Sequence, residues 1–134
     1  MTAIYTIDGE RFATLEGFFR EISGAVVPRA TWGKNLDAFD DVLSGGFGTP
    51  AVGFTLRWRH HAISRVRLGY PETVRQLELR LQRCHPANRV AIAQQLKQAN
   101  TGAGPTVFDW LVQVVRAHAS GATHNGHAVE LVLD

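Results

Sequence analysis

Three strand-like segments lie far apart along this chain, and helical patterns fill the intervals between them. The segments are residues 3–7, 51–58 and 128–133, and each favours β structure by its β-branched or aromatic side chains. Short hairpin turns cannot join strands at such distances, whereas helical crossovers join parallel strands. The order of elements therefore predicts an α/β fold with a small parallel sheet and helices packed on it.

Two helices are predicted between the first two strands. Thr14 is a suitable N-cap for the first helix, which ends near Gly24, and Asn35 is a suitable N-cap for the second, which Gly45 stops. Apolar residues recur at helical spacing in both. The residues predicted to face the core are Leu15, Phe18, Phe19, Ile22, Leu36, Phe39 and Leu43.

The interval before the last strand predicts several helices. Residues 62–100 read as three short helices, with breaks at 69–71 and 85–86 and each proline in the first turn of the helix that follows. Residues 77–81 alternate like a strand but also keep helical spacing, and we assign them to a helix. A final helix is expected to open at Pro105 and end near Gly121. Its inward residues are Phe108, Leu111, Val112 and Val115.

The size and composition bound the type of protein. A chain of 134 residues can bury a core, so we expect one domain over residues 1–134.

The single cysteine, Cys84, cannot form an internal disulfide, which is typical of a reducing compartment. The longest uncharged stretch, 42–56, holds four glycines and a proline, which argues against a membrane span. The first residues lack the pattern of a secretory signal, and we expect a cytoplasmic protein.

The charges are unevenly placed, although the net charge is only +2. Residues 1–50 carry seven acidic and four basic side chains, while residues 57–97 carry nine basic and two acidic ones. Such an asymmetry indicates a charged partner. On the second predicted helix, Asp37, Asp41 and Ser44 share one face, and Asp40 lies beside it. A solvated face near a helix N-terminus would show the same pattern, so spacing alone leaves both interpretations open.

The run Trp32-Gly33-Lys34-Asn35-Leu36-Asp37-Ala38-Phe39-Asp40-Asp41 resembles the barstar family of ribonuclease inhibitors. Residues 7–10, 54–59 and 129–133 are similar to the strands of that family, so the resemblance covers about 1–59 and 104–134. It leaves 60–103 without a counterpart. The resemblance implies a three-stranded parallel sheet flanked by helices. It also implies an intracellular bacterial immunity protein that inhibits a ribonuclease or related toxin and is not an enzyme.

The resemblance also implies a binding surface. In that family the second helix and the loop before it plug the active site of a small basic ribonuclease. By analogy Asp41 would enter a phosphate-binding pocket, Asp37 would pair with basic residues, and Trp32 would be a contact aromatic. A buried loop anchor is the alternative for Trp32. The expected partner-binding residues are Thr31, Trp32, Asp37, Asp40, Asp41 and Ser44.

The basic middle segment supports an alternative function. Arginines between residues 57 and 89 could contact RNA phosphates or dock an acidic protein, although an ordinary solvated surface has the same composition. These arginines are Arg57, Arg59, Arg65, Arg67, Arg75, Arg80, Arg83 and Arg89. We expect no cofactor and no metal, because the six histidines lack metal-ligand spacing and no nucleotide-binding glycine motif is present.

Overall fold

A computed structural model describes residues 3–119 and 127–134 of the chain. Its sheet has three parallel strands in the order β1, β2, β3. The strands are β1 (Ala3–Asp8), β2 (Gly53–Arg59) and β3 (Ala128–Leu133). Leu56 in the central strand is in register with Tyr5 on one side and Leu131 on the other. The predicted α/β class and parallel sheet are confirmed.

Six α-helices connect the strands within the described residues. Between β1 and β2 lie α1 (Leu15–Ala25) and α2 (Leu36–Ser44). Between β2 and β3 lie α3 (His61–Arg67), α4 (Tyr70–Arg83), α5 (Arg89–Asn100) and α6 (Val107–Arg116). Residues 77–81 are part of α4, so their helical assignment is confirmed.

Three helix boundaries differ from the prediction. Pro86 lies in a short 3-10 turn, and α5 begins only at Arg89. Pro105 precedes α6, because Thr106 is the N-cap and forms a capping box with Asp109. The same helix ends at Arg116 and not near Gly121, which lies outside the described residues.

The sheet is covered on one face only, and the residues of β2 alternate between buried and exposed positions. Phe54, Leu56 and Trp58 point into the core and are at most 1% exposed, whereas Arg57 and Arg59 alternate with them and are exposed. The described helices cover one face and leave the other to solvent. A strand with one solvent-exposed face can carry charged side chains at every second position.

The core on the covered face is built around Trp58. Its ring lies 5.2 Å from the ring of Phe18 and 5.2 Å from that of Phe108, so residues of α1 and α6 meet on the central strand. The indole N–H donates to the Ser64 hydroxyl over 2.9 Å, which satisfies the buried polar atom. The predicted core positions of α1 and α6 are all buried.

Two buried polar residues of α4 join the helices together. A carboxylate oxygen of Glu72 accepts the backbone N–H of Leu15, the first residue of α1, over 2.9 Å. Thr73 does the same for α6, because its hydroxyl accepts the N–H of Val107 over 2.9 Å. Both donors belong to the first turns of helices, where no intrahelical acceptor exists. Helix α4 therefore caps α1 and α6 at once.

A small ion-pair network surrounds this cap. Arg75 donates to Glu72 over 2.7 Å and to Glu16 of α1 over 2.7 Å. Gln76 also donates to both carboxylates. Burial raises the pKa of Glu72, but the hydrogen bonds from Arg75, the Leu15 N–H and Gln76 outweigh it and leave that pKa below its usual range.

We expect Glu72→Ala to lower the free energy of unfolding by about 3 kcal/mol, because it leaves the Leu15 N–H unpaired and removes a buried partner of Arg75. Urea unfolding at neutral pH measures this. Glu78→Ala is the matched control, since Glu78 is an exposed residue of the same helix. Its expected effect is within about 0.5 kcal/mol. Equal losses in both variants would contradict the assigned role.

The pH dependence of stability should change in Glu72→Gln. Because folding lowers the pKa of Glu72, its stabilisation is present above the unfolded value near 4.5 and is lost as the pH falls through the folded value. The difference in unfolding free energy between the original chain and Glu72→Gln should therefore shrink between about pH 7 and about pH 3. Urea unfolding across that range gives the two curves, and parallel curves would refute this assignment.

Candidate functional site

Helix α2 presents an acidic face to solvent. Asn35 caps the helix by accepting the Ala38 N–H over 2.8 Å, and Gly45 ends it with a φ of 99°, where glycine is favoured. Phe39 and Leu43 are buried, which turns the opposite face outward. The predicted partner-binding residues on the exposed face are Asp37, Asp40, Asp41 and Ser44.

Two of these residues already have partners within the chain. The Asp40 carboxylate lies 2.7 Å from Nε2 of His118, just beyond α6. The Ser44 hydroxyl donates to the backbone carbonyl of Asp40 over 3.1 Å. The His118 side chain is only 12% exposed, so this contact ties α2 to the end of α6. Asp40 is thus a structural contact as well as a surface acid.

Asp37 faces a cation of α4. Burial lowers the pKa of Arg80, and the negative charge of Asp37 opposes that shift. The Arg80 guanidinium also lies over the ring of Trp110, 4.5 Å from its centroid. Asp37 and Arg80 line the same small hollow, although no ion pair within 4.0 Å joins them among the described residues.

Asp41 is the third exposed acid of α2. Among residues 3–119 and 127–134, its exposed carboxylate makes neither a hydrogen bond nor an ion pair. Carboxylates in this state cost least to redirect towards an incoming cation, because no internal contact has to break. Asp40 thus has a direct partner in His118, whereas Asp37 and Asp41 make no hydrogen bond or ion pair among the described residues, and Asp37 lies near the positive charge of Arg80.

Trp32 lies in the core, as the loop-anchor interpretation expects. It is 8% exposed, its ring contacts that of Phe19 edge-on at 5.6 Å, and its N–H donates to the Ser23 hydroxyl over 2.7 Å. Both contacts come from α1, so Trp32 holds the loop before α2 against α1. Thr31, the residue before it, is exposed. A partner on the acidic face would meet Thr31 more readily than the indole.

Most arginines of the basic segment are engaged inside the chain. Arg57 pairs with Asp134, Arg67 donates to three backbone carbonyls, and Arg75 joins the carboxylates of α1 and α4. Arg65 stacks on Phe108, as Arg80 does on Trp110. Five of the eight candidate phosphate contacts therefore have structural roles. The structure gives little support to a continuous nucleic-acid surface.

One group of titratable side chains in the described ranges has metal-ligand types close together. Asp8, Glu10 and His60 bring one ligand atom each within 4.8 Å of one another. However, Nδ1 of His60 faces Asp8 at 2.8 Å and Nε2 faces Glu10 at 3.5 Å. One imidazole cannot offer both nitrogens to the same ion. The arrangement is satisfied as a side-chain contact of His60 with Asp8 and Glu10 between the end of β1 and the start of α3.

Comparison with known proteins identifies the family. A family model described as Barstar (barnase inhibitor) matches residues 2–85, well over half of the chain. The chain belongs to the barstar family. The matched range includes α1, the acidic helix α2, β2, α3 and α4. A comparison with curated proteins found no match.

The match corrects the extent of the resemblance. Residues 60–85 belong to the barstar pattern, although the sequence analysis expected no counterpart for 60–103. The cap formed by Glu72 thus lies inside the family range, and α5 lies outside it. In the part of the chain that is described, no helix is both long and apolar enough to cross a bilayer.

Sequence reasoning did not identify the two basic residues that lie against the acidic helix, His118 and Arg80. His118 lies 78 residues from Asp40 along the chain, and no local pattern links them. Arg80 was grouped with the other arginines, since helical spacing does not show which of them faces α2. Only the packing of α4 and α6 reveals that the barstar-family acids are not equivalent in this chain.

We expect Trp32→Ala to lower the free energy of unfolding by about 3 kcal/mol or more, as for other buried aromatic residues. Ser23→Ala, which removes only the acceptor of the indole N–H, should cost about 1 kcal/mol. Urea unfolding followed by circular dichroism measures both. An unchanged stability of Trp32→Ala would show that the indole is not the loop anchor.

Proposed function

We propose that this barstar-family protein inhibits a ribonuclease or related toxin by placing the exposed face of α2 in the enzyme's active site. Family membership implies an inhibitor-type function and a ribonuclease partner. The observation that carries the specific mode is the unpaired carboxylate of Asp41 on an otherwise ordered helix. The protein would act by occupying a site and would need no catalytic group of its own.

The chemistry proposed for Asp41 is mimicry of an RNA phosphate. Ribonuclease active sites that hold phosphate do so with cationic donors, and a carboxylate makes short, charge-assisted hydrogen bonds to such donors. Among the described residues Asp41 makes no hydrogen bond or ion pair that would have to break, so it is the proposed anchor. Asp37 would contribute at the edge, because it lies near the positive charge of Arg80.

The other predicted residues have supporting roles in this proposal. Asp40, held by His118, fixes the orientation of the acidic helix relative to α6. Ser44 ends the helix beside it, and Thr31 offers an exposed hydroxyl on the preceding loop. Trp32 contributes indirectly, because it anchors that loop to α1. Removal of any of these should weaken binding less directly than removal of Asp41.

We also propose that the protein works in the bacterial cytoplasm, as an immunity protein that protects the producing cell. Cys84 is half-buried and free, which suits a reducing compartment. The nucleic-acid alternative is not retained as a second proposal, since the arginines it would use are largely engaged within the chain.

Asp41→Ala should weaken binding to barnase by at least about 100-fold, because a desolvated cationic pocket would lose its counter-charge. This magnitude comes from general measurements on interfacial charge pairs, to which the barnase complex of this family itself contributed. Calorimetric titration gives the affinity, and RNA cleavage followed in parallel reports inhibition.

Glu78→Ala is the matched control because it removes one exposed acid from α4 and leaves α2 intact. Its affinity should change by no more than about threefold. Binding that is equally weakened in both variants would mean that only overall charge matters. Tight binding of Asp41→Ala would refute the proposed anchor. If the original chain does not bind barnase, the partner is another enzyme and the proposed inhibition of barnase-type ribonucleases is wrong.

A further inference from the structure

A second surface of opposite charge lies beside the acidic helix. A cleft of about 560 Å³ opens between α1, the start of α2 and the pair formed by α4 and α5. Its apolar wall is formed by Leu15, Phe19, Leu36, Leu79 and Ile92. The last three of these are only partly buried, so the wall is open to solvent. A space of this size accommodates a few side chains of a bound segment.

The rim of this cleft carries an excess of positive charge. Lys34, Arg80 and Arg83 line it, and Glu16 is its one acidic lining residue. The Glu16 carboxylate is already bound by Arg75 and Gln76. For Lys34 and Arg83, the described residues provide no ion pair. An occupant of the cleft would therefore meet two cations without an ion pair to the described residues, Lys34 and Arg83, beside Arg80, which stacks on Trp110 and lies near Asp37.

Helix α5 has no core function that would explain its position. Ala99 is its one buried residue in the structure, and it packs chiefly against α4. Ile92 lies on its side facing the cleft. Because α5 lies outside the range matched by the barstar family, the cleft wall that it supplies is additional to that matched pattern.

We propose that this cleft binds an acidic protein segment that inserts an apolar side chain between α4 and α1. The inserted side chain would cover Leu79 and Ile92, while flanking carboxylates would pair with Arg83 and Lys34. Charge complementarity argues for this occupant over a basic or neutral one. The binding step needs neither Asp41 nor inhibition of a ribonuclease.

The cleft is continuous with the acidic helix. Asn35, Leu36 and Arg80 line both the cleft and a smaller hollow that includes Asp37. One partner could thus place basic groups on α2 and an acidic segment in the cleft. The two neighbouring surfaces would then select a partner by a pattern of charges and not by its net charge.

The test uses fluorescein-labelled hexapeptides and the full chain, followed by fluorescence anisotropy. The probe has Leu-Phe at its centre and two glutamates on each side. We expect saturable binding of this peptide, about tenfold weaker binding to Arg83→Glu, and unchanged binding to Arg89→Glu. Arg89 is an exposed arginine at the start of α5 that does not line the cleft, so it is the matched charge reversal.

Cys84 provides an independent readout of location. It is the single cysteine of the chain and lines the cleft, so the bound peptide should slow its alkylation by iodoacetamide. Arg83→Glu should abolish that protection. A folded Arg83→Glu with unchanged circular dichroism rules out general unfolding as the cause.

Several outcomes would overturn the proposal. These are absence of saturable binding at millimolar peptide, equal binding of a peptide with lysines in place of the glutamates, and loss of affinity in both arginine variants. An RNA hexamer that binds more tightly than the acidic peptide and is released by Arg83→Glu would assign the cleft to phosphate instead. Because barnase is absent from this assay, its result is independent of the test of Asp41.

Discussion

The capping of α1 by Glu72 is the contact on which the arrangement of the functional surface depends. Glu72 fixes the start of α1, and α1 in turn supplies both residues that hold Trp32. Trp32 anchors the loop that leads into α2. A carboxylate suits this position for two reasons. It accepts a hydrogen bond from a backbone N–H that has no acceptor within the helix, and its negative charge lies at the positive end of the helix dipole. The acidic surface thus depends on a buried acid, Glu72, which lies on a different helix from the surface itself.

Local signals predicted the secondary structure well, because caps and apolar spacing act within a few residues. Asn35 and Gly45 bound α2 where the sequence places them, by a side-chain bond and a left-handed backbone. The sequence did not show that one face of β2 is exposed, since burial depends on what covers each face of the sheet and not on the strand's own composition. The start of α6 was also predicted wrongly at Pro105. The capping box of Thr106 makes Val107 the first helical residue.

The candidate site was predictable as a set of residues but not as a set of roles. Helical periodicity places Asp37 and Asp41 on one face, and this requires only the spacing of the sequence. Arg80, which comes from the later helix α4, lies near Asp37 and acts on it electrostatically. Long-range packing thus places a positive charge near one of these two carboxylates, which their spacing in the sequence cannot show. A count of acidic residues alone would treat Asp37 and Asp41 as equivalent.

The charge distribution limits how such a protein can attract its partner. The net charge of +2 gives no long-range attraction for a basic enzyme, so attraction must come from α2 itself. At physiological ionic strength exposed charges are screened beyond roughly 8 Å, which confines that attraction to encounters already close to the correct orientation. Lys34 and the nearby arginines of α4 repel a basic enzyme, which reduces the number of productive orientations further.

The affinity of such a complex depends on contacts formed after docking, and therefore on slow dissociation more than on fast association. Opposite charges on adjacent surfaces lower the electrostatic acceleration of association. They increase the discrimination between partners of different charge pattern.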